Sequence, residues 1–495
     1  MVMGLELLFM FSPFAVVLFG LLSERFKVAK LRESVAILLS AFSLFSVWQL
    51  YMMLQASPTK ILVVTLGGAP PLGACFEIDM LSLYMAFSAA LLGLFATIYS
   101  YSYMAHDTRL TEYYTLLSAL VVGIIGVSFA GDFFTLFVFW ELMGITSYVL
   151  VAFRKENWGS IEAGFKYMVM GAVGSTLLLI GIALIYGLAG TVNFAQISTA
   201  LRGQPMSLWL YLVFAVLVVG FGIKSAIVPM HTWLPDAHSE APSPISAMLS
   251  GILIETALYG FIRVAYLIYE PSTFALPFVV LAVITMTLGN LMALRQNDLK
   301  RMLAYSSIAQ IGYILIGIST GLVYGLLGTF LHIFNHMLMK GVAFLSVGNL
   351  IHRTGSRDLD KMQGLGRMMP ITTLALSVSL LGLGGVPGTS GFISKFILFS
   401  SALEANLSIL AIIGVLNSTL SMAYYLRVII TLLGTKTSEG TVVKEAPFLM
   451  VAVPVVMTLL IIAFGVYPDL ILSFASDASK ALIEGLANYI GVVIR

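Results

Sequence analysis

Several ionisable side chains sit inside stretches that are otherwise apolar. Glu141 lies within Phe139-Trp-Glu-Leu-Met143, and Lys224 within Gly220-Phe-Gly-Ile-Lys-Ser-Ala-Ile-Val-Pro229, where two glycines and a proline weaken a helix. An ionised group at the centre of a bilayer costs about 2.5–3.5 kcal/mol on insertion scales, so its presence needs a reason. Desolvation and a nearby carboxylate pull an ammonium in opposite directions. A small electrostatic change can then eject or recapture a proton. A static buried salt bridge between Glu141 and Lys224 is the alternative, although such a pair adds little net stability over apolar replacements.

A second group follows in Leu331-His-Ile-Phe-Asn-His-Met-Leu-Met-Lys-Gly341, where His332, His336 and Lys340 recur at i, i+4 and i+8 and share one helical stripe. An ordinary histidine pKa of about 6.5 suits proton hand-off near neutrality. Packing is the bland reading of this stripe. Zinc is disfavoured, because no Glu lies between the histidines as in H-E-x-x-H and no Cys is near. Gly382-Leu-Gly-Gly-Val-Pro-Gly-Thr-Ser-Gly391 can hardly stay a regular helix, and Lys395 stands one turn beyond it. Broken backbone at membrane depth is tolerated where it lines a wet cavity, which makes Lys395 the far end of an aqueous path. A hinge with an incidental lysine is the alternative. The joint His231-Thr-Trp-Leu-Pro-Asp-Ala-His-Ser-Glu-Ala-Pro-Ser-Pro244 either feeds protons from the cytoplasmic side or is a rigid Pro-rich turn with solvated charges.

The elements that must position these groups are membrane helices. Of 495 residues 59% are hydrophobic and 10% charged, against about 25% charged in a soluble domain. A net charge of +2 without a long basic run excludes nucleic acid as a partner. The lone Cys75 excludes a multi-cysteine cluster, so no cofactor or metal is expected in this chain and redox centres belong to other subunits. Apolar segments long enough to cross about 30 Å recur near 5–22, 34–54, 80–104, 113–130, 133–153, 163–188, 208–229, 244–268, 274–294, 301–319, 325–350, 371–401, 407–433 and 449–472. Ser473 to Arg495 reads as a surface helix or a short fifteenth span. The first apolar segment has no basic region before it, and Arg25, Lys27, Lys30 and Arg32 follow it, which reads as a retained span.

Sorting the 26 Lys and Arg residues over these spans places seventeen on one side, Lys436 and Lys444 among them, and five, including Lys60, Arg263 and Arg495, on the other. Lys166, Lys224, Lys340 and Lys395 fall within spans. Excess positive charge marks the cytoplasmic face, so both termini are expected outside. A weak repeat lays Phe133–Tyr148 on Asp298–Tyr313 at an offset of 165, with Glu141 opposite Ser306. Five spans separate the copies, so the second crosses in the opposite sense, as in transporters with an ion path between halves. Chance similarity between apolar helices is the alternative.

At these residues the chain resembles a known family. The Trp140-Glu141 span, the Lys224 to Pro244 stretch, Asn297-Asp-Leu-Lys-Arg-Met-Leu-Ala-Tyr-Ser-Ser-Ile-Ala-Gln-Ile-Gly-Tyr313, the His332 to Lys340 stripe and Ser390-Gly-Phe-Ile-Ser-Lys395 are similar to the antiporter-like membrane subunits. Those subunits are shared by respiratory complex I, Mrp-type cation/proton antiporters and energy-converting membrane-bound hydrogenases, and the resemblance covers nearly the whole chain. It implies an all-α polytopic membrane protein of about fourteen transmembrane helices. Spans 1–3 would occupy residues 1–110, inverted five-helix repeats 111–270 and 271–435, and span 14 with a C-terminal segment 436–495, with spans 7 and 12 broken. It further implies that Glu141 gates Lys224, that His332, His336 and Lys340 form a central relay, and that Lys395 is the exit lysine. A long lateral helix found in longer relatives is not expected at this length. One position departs from the pattern: where many relatives carry a lysine in span 8, this chain has Glu255. A carboxylate there either passes protons itself or favours sodium. The implied setting is the plasma membrane of a prokaryote, with other membrane subunits, further antiporter-like ones among them, as partners. The function expected is proton or sodium translocation in a redox-driven complex of hydrogenase or complex I type. The alternatives are a subunit of an Mrp-type antiporter without redox chemistry and a structural membrane module.

Overall fold

The computed structural model describes residues 6–28, 30–66, 73–435 and 444–494. Lys436 and Arg495, which the sequence assigns to opposite faces, lie outside the described residues. The first third contains α1 (Ser12–Phe26), α2 (Leu31–Ala56), a hairpin of β1 (Leu62–Leu66) and β2 (Ala74–Ile78), α3 (Met80–Tyr103), α4 (Leu110–Phe129) and α5 (Phe133–Val151). Then come α6 (Trp158–Ala189), α7 (Phe194–Leu201), α8 (Leu208–Lys224), α9 (Trp233–Glu240), α10 (Ser243–Met248) and α11 (Ile254–Ile268). The remainder is α12 (Pro271–Leu294), α13 (Leu299–Thr320), α14 (Val323–Thr354), α15 (Pro370–Gly384), α16 (Ser390–Glu404), α17 (Ser408–Leu433), α18 (Phe448–Val466), α19 (Asp469–Ile483) and α20 (Leu486–Val493).

Among the described residues twelve helical segments are long and apolar enough to cross a bilayer, α10 and α11 counting as one span. A thirteenth arises if Leu359–Arg367 and Pro370–Gly384, bent by 115°, form one span. The expected fourteen are not reached because the interrupted spans are short: α8 has 17 residues, and α15 and α16 have 15 each. Between α15 and α16 the chain turns through Gly385 at φ 83° and Gly388 at φ 86°, left-handed conformations that favour glycine. Pro387 between them has no amide hydrogen to offer a helix.

The span from α10 to α11, α13 and α14 are buried around their whole circumference, whereas α1, α2, α6 and α18 present most of their surface outward. A helix buried all round lies in the centre of a bundle. That centre is where Glu255, His332, His336 and Lys340 are carried. A π-helical turn, Leu249–Leu253, joins α10 to α11 immediately before Glu255; such turns re-aim the side chains that follow them.

Two equivalent backbone exchanges lie far apart in sequence. At the start of α5, Phe133 N–H donates to Val192 O (3.0 Å) and Phe194 N–H to Gly131 O (3.0 Å). At the start of α13, Leu299 N–H donates to Arg357 O (3.0 Å) and Leu359 N–H to Asn297 O (2.9 Å). Asp132 and Asp298 cap the two helices through Thr135 and Arg301 amides. This geometry pairs Phe133 with Leu299, one residue from the register drawn on the sequence.

Two expectations are corrected. The joint before Pro244 is not a solvated turn: Trp233–Glu240 is a short helix, α9, whose Asp236 pairs with Lys166 (3.1 Å) and Arg301 (2.7 Å) while Glu240 pairs with Arg357 (2.8 Å). Asp236 and Glu240 are four residues apart, so one face of α9 meets cations from neighbouring helices. Lys166 is not a membrane-interior lysine, because α6 begins at Trp158 and its ammonium, half exposed, bonds Glu162 (2.8 Å) as well as Asp236.

Candidate functional site

α8 stops at Lys224, and the side chain is buried at that helix end, where carbonyl dipoles favour a cation. Its Nζ donates to Trp140 O (3.1 Å) and lies 4.4 Å from the Trp140 ring centroid and 5.8 Å from that of Tyr148. Gly144 makes room: a Cβ there would stand 2.6 Å from Lys224 Nζ and 3.0 Å from the Tyr148 hydroxyl. Glu141 is half-buried and accepts from Ser175 Oγ, which in turn accepts from Trp140 Nε1 (3.2 Å). Glu141 and Lys224 therefore do not form the static salt bridge weighed above. They are joined through Trp140 and Ser175.

The central group is continuous. Glu255 and His336 are fully buried and bonded through Oε1 and Nδ1, an acid–base pair brought together from α11 and α14. Glu255 Oε2 and His336 Nε2 have no protein partner. The His336 ring stacks on His332 at 6.1 Å between centroids and 18° between planes. His332 is held from both sides, by Gln310 Oε1 (3.0 Å from Nε2) and Ser394 Oγ (2.9 Å from Nδ1). Gln310 Nε2 donates to Leu383 O (3.1 Å), the same carbonyl that accepts Lys395 Nζ (2.6 Å). Leu383 lies just before the break between α15 and α16, so interrupting the helix supplies the acceptor on which glutamine and lysine converge. Lys395 also donates to Ser418 Oγ (3.0 Å) and lies 4.4 Å from the Tyr313 ring centroid.

The amide orientation of Gln310 fixes the chemistry of His332. Its NH₂ is committed to Leu383 O, so its oxygen faces His332 Nε2, which must then carry hydrogen. Neutral His332 takes a hydrogen bond from Ser394 at Nδ1. Protonated His332 donates there instead, and Ser394 can turn its hydrogen to Gly391 O (3.2 Å). A proton can thus be gained or lost with one hydroxyl rotation.

Lys340, one turn past His336, is fully buried and donates to Leu303 O (2.9 Å) and Ser306 Oγ. It belongs to the same helix stripe but bonds α13, not the two histidines. The structure therefore brings Glu255, His336, His332 and Lys395 into one network, sets Lys340 beside it, and keeps Glu141 and Lys224 as a second cluster. Sequence reasoning missed Gln310, Ser394, Ser175 and Tyr148, uncharged residues that carry no insertion penalty large enough to draw notice. Gln310 lies within the Asn297–Tyr313 motif, and an amide in an apolar span is the signal that would have found it. His238 of α9 is also fully buried, stacked on Phe344 at 4.9 Å, with no protein partner for either ring nitrogen.

Residues 130–421 match the family model described as NADH:quinone oxidoreductase/Mrp antiporter, TM, and residues 69–114 match NADH-Ubiquinone oxidoreductase (complex I), chain 5 N-terminus. Among similar proteins, the F(420)H(2) dehydrogenase subunit N of Methanosarcina mazei is 34% identical over 422 residues, 82% of this chain and 85% of that one. The NADH-quinone oxidoreductase subunit N of Trichlorobacter lovleyi is 36% identical over 399 residues, 78% of this chain and 81% of that one. Among solved structures, the fold resembles a chain of the membrane-bound sulfane sulfur reductase, an archaeal respiratory membrane complex (TM-score 0.90, 26% identity, 99% of both chains). It also resembles a chain of the Mrp complex from a Dietzia species (TM-score 0.90, 25% identity, 100% of both).

Proposed function

Because the chain belongs to the NADH:quinone oxidoreductase/Mrp antiporter membrane family, we propose that it is the antiporter-like, ion-translocating subunit of a redox-driven membrane complex. It carries protons along Glu141, Lys224, Glu255, His332, His336, Lys340 and Lys395. The observation that carries this reading is the bonded and stacked line from Glu255 through His336, His332 and Gln310 to Leu383 O and Lys395, held in helices buried on every side. A structural module has no use for so many titratable groups at depth. Each is costly there, and apolar residues of similar volume would hold helices together as well.

In this mechanism the carboxylate in place of the lysine common in relatives is half of an acid–base pair with His336. Its proton passes between Oε1 and Nδ1 and on to the stacked imidazole of His332, while Gln310 and Leu383 O do not carry it but hold His332 and Lys395 in place. The Lys224 cluster takes up charge separately and communicates through Trp140, whose carbonyl holds the lysine and whose indole holds the serine bonded to Glu141. Sodium at Glu255 is the other ion reading, and the histidine bonded to it, His336, favours the proton.

The relatives named as dehydrogenase and oxidoreductase subunits favour a redox complex, with its cofactors in other subunits. An Mrp-type antiporter without redox chemistry is the second reading, supported by the equal fit to the Mrp chain. The matched exchanges at the starts of α5 and α13 support inverted repeats over 111–270 and 271–435. The surplus of cationic loops supports termini on the outer face of a prokaryotic plasma membrane.

The test is reconstitution of the complex with Lys224→Ala or Glu141→Ala. Assembled complexes should lose ion pumping while the driving reaction continues, and unchanged pumping refutes the relay. Dependence of pumping on an electron donor separates the redox reading from the antiporter.

A further inference from the structure

Away from the relay, two cavities flank α19. One, of about 510 Å³, is apolar and lies between α2, α3, α14, α18 and α19, with Trp48, Leu83, Phe87, Phe334, Phe464 and Phe474 on its walls. The other, of about 450 Å³, carries the charged side chains Lys60, Asp79, Asp477, Lys480 and Glu484. Asp477 lines both. Leu470, Phe474, Asp477, Ala481 and the C-cap Glu484 recur at three- and four-residue spacing, so a single face of α19 and its cap changes from apolar to charged along its length.

We infer that this double cavity holds one membrane phospholipid with a zwitterionic headgroup ending in a primary amine. The polar chamber offers two ammoniums and three carboxylates. Asp79 is paired with Arg263 and Lys60 donates to Gln55 O (2.6 Å), but Lys60, Lys480, Asp477 and Glu484 form no ion pair within 4.0 Å among the described residues. A phosphate is the complement of Lys60 and Lys480, and an amine is the complement of Asp477 and Glu484. Soluble phosphate would leave the aromatic cavity unused, and a fatty acid would leave the carboxylates unanswered. A phospholipid satisfies both ends, and each cavity is within the range of about 300–1,000 Å³ usual for ligand sites.

The occupant would touch the machinery indirectly. Phe334, stacked on Phe87 at 6.3 Å and 12°, stands on α14 between His332 and His336. A filled cleft therefore braces the helix that carries both histidines. The site itself stands whether or not those histidines carry protons.

Native mass spectrometry of the intact complex, delipidated and reloaded with phosphatidylethanolamine, phosphatidylglycerol or inorganic phosphate, tests the assignment. The wild type should retain one phosphatidylethanolamine on this subunit, and phosphatidylglycerol should bind about tenfold more weakly, one charge-assisted contact being lost. Lys480→Glu, on an exposed part of α19, should weaken phosphatidylethanolamine by about tenfold for the same reason. Leu83→Trp should block the apolar half, and if that variant fails to assemble, Lys480→Glu alone decides. Equal retention of both lipids, retention unchanged in Lys480→Glu, or competition by inorganic phosphate alone would overturn the proposal.

Discussion

Replacing Gln310 by Leu removes the one side chain that touches both His332 and the carbonyl under Lys395. The substitution keeps most of the volume, so the packing of α13 against α14 should survive. What is lost is specific: His332 Nε2–H, fully buried, has no other protein acceptor at that position. A buried donor left unsatisfied costs about 1–3 kcal/mol. If that cost falls on the step in which His332 exchanges its proton, the hand-off slows by about tenfold to a hundredfold. Reconstituted complex in sealed vesicles, with redox turnover and interior acidification followed together, reads this directly. The expected outcome is continued electron transfer with acidification per turnover sharply reduced, and partial recovery in Gln310→His, which restores a polar ring. If Gln310→Leu pumps as the wild type does while His332→Ala does not, the glutamine does not set the hand-off at His332 and the role assigned to it is wrong.

Two further outcomes follow from other parts of the molecule. Glu77 on β2, outside the spans, is buried beside Tyr489 of α20, and burial raises its pKa from 4.5 to about 7, with the Tyr489 hydrogen bond opposing the rise. The folded state therefore holds this proton more tightly than the unfolded chain, and stability falls as pH climbs from about 4.5 to 7, by up to about 3 kcal/mol. Glu77→Gln should flatten that slope in thermal melts of the purified complex, and an unchanged slope would mean that Glu77 is not its source. Gly144→Val would put methyl groups where Lys224 Nζ and the Tyr148 hydroxyl stand, since a Cβ alone comes within 2.6 Å of the ammonium. Overpacking of about 1–3 kcal/mol should leave assembly intact and cut pumping as Lys224→Ala does; normal pumping would show that the ammonium need not occupy that spot.

The membrane helices were legible in the sequence because apolar length alone specifies them, and each expected span meets a helix. The split of spans 7 and 12 was legible from Gly220, Gly222 and Pro229 and from the Gly382–Gly391 run. What it does to the count was not, since the pieces are too short to cross unaided. Costly residues announced themselves: Glu141, Lys224, His332, His336, Lys340 and Lys395 are all buried or half-buried at depth. Their partners did not. Ser175, Gln310 and Ser394 meet their targets from helices 22 to 62 residues away, and nothing in local spacing says which serine or amide will arrive. In the sequence Glu255 is an anomaly of charge, whereas its meaning lies in His336, 81 residues on. The hairpin and the seating of α19 and α20 were invisible for a related reason: short amphipathic segments take their structure from the surface they cover.

The most direct measurement is an infrared difference spectrum of the complex between resting and turning-over states, with the Glu255→Gln variant as reference. If ions hop along the buried line, the carboxyl of Glu255 changes protonation during turnover, and a carbonyl stretching band appears in the wild type and vanishes in Glu255→Gln. A wild-type spectrum without that band, recorded while the vesicles acidify normally, would contradict the account, because the proton would be crossing by a route that bypasses the central pair.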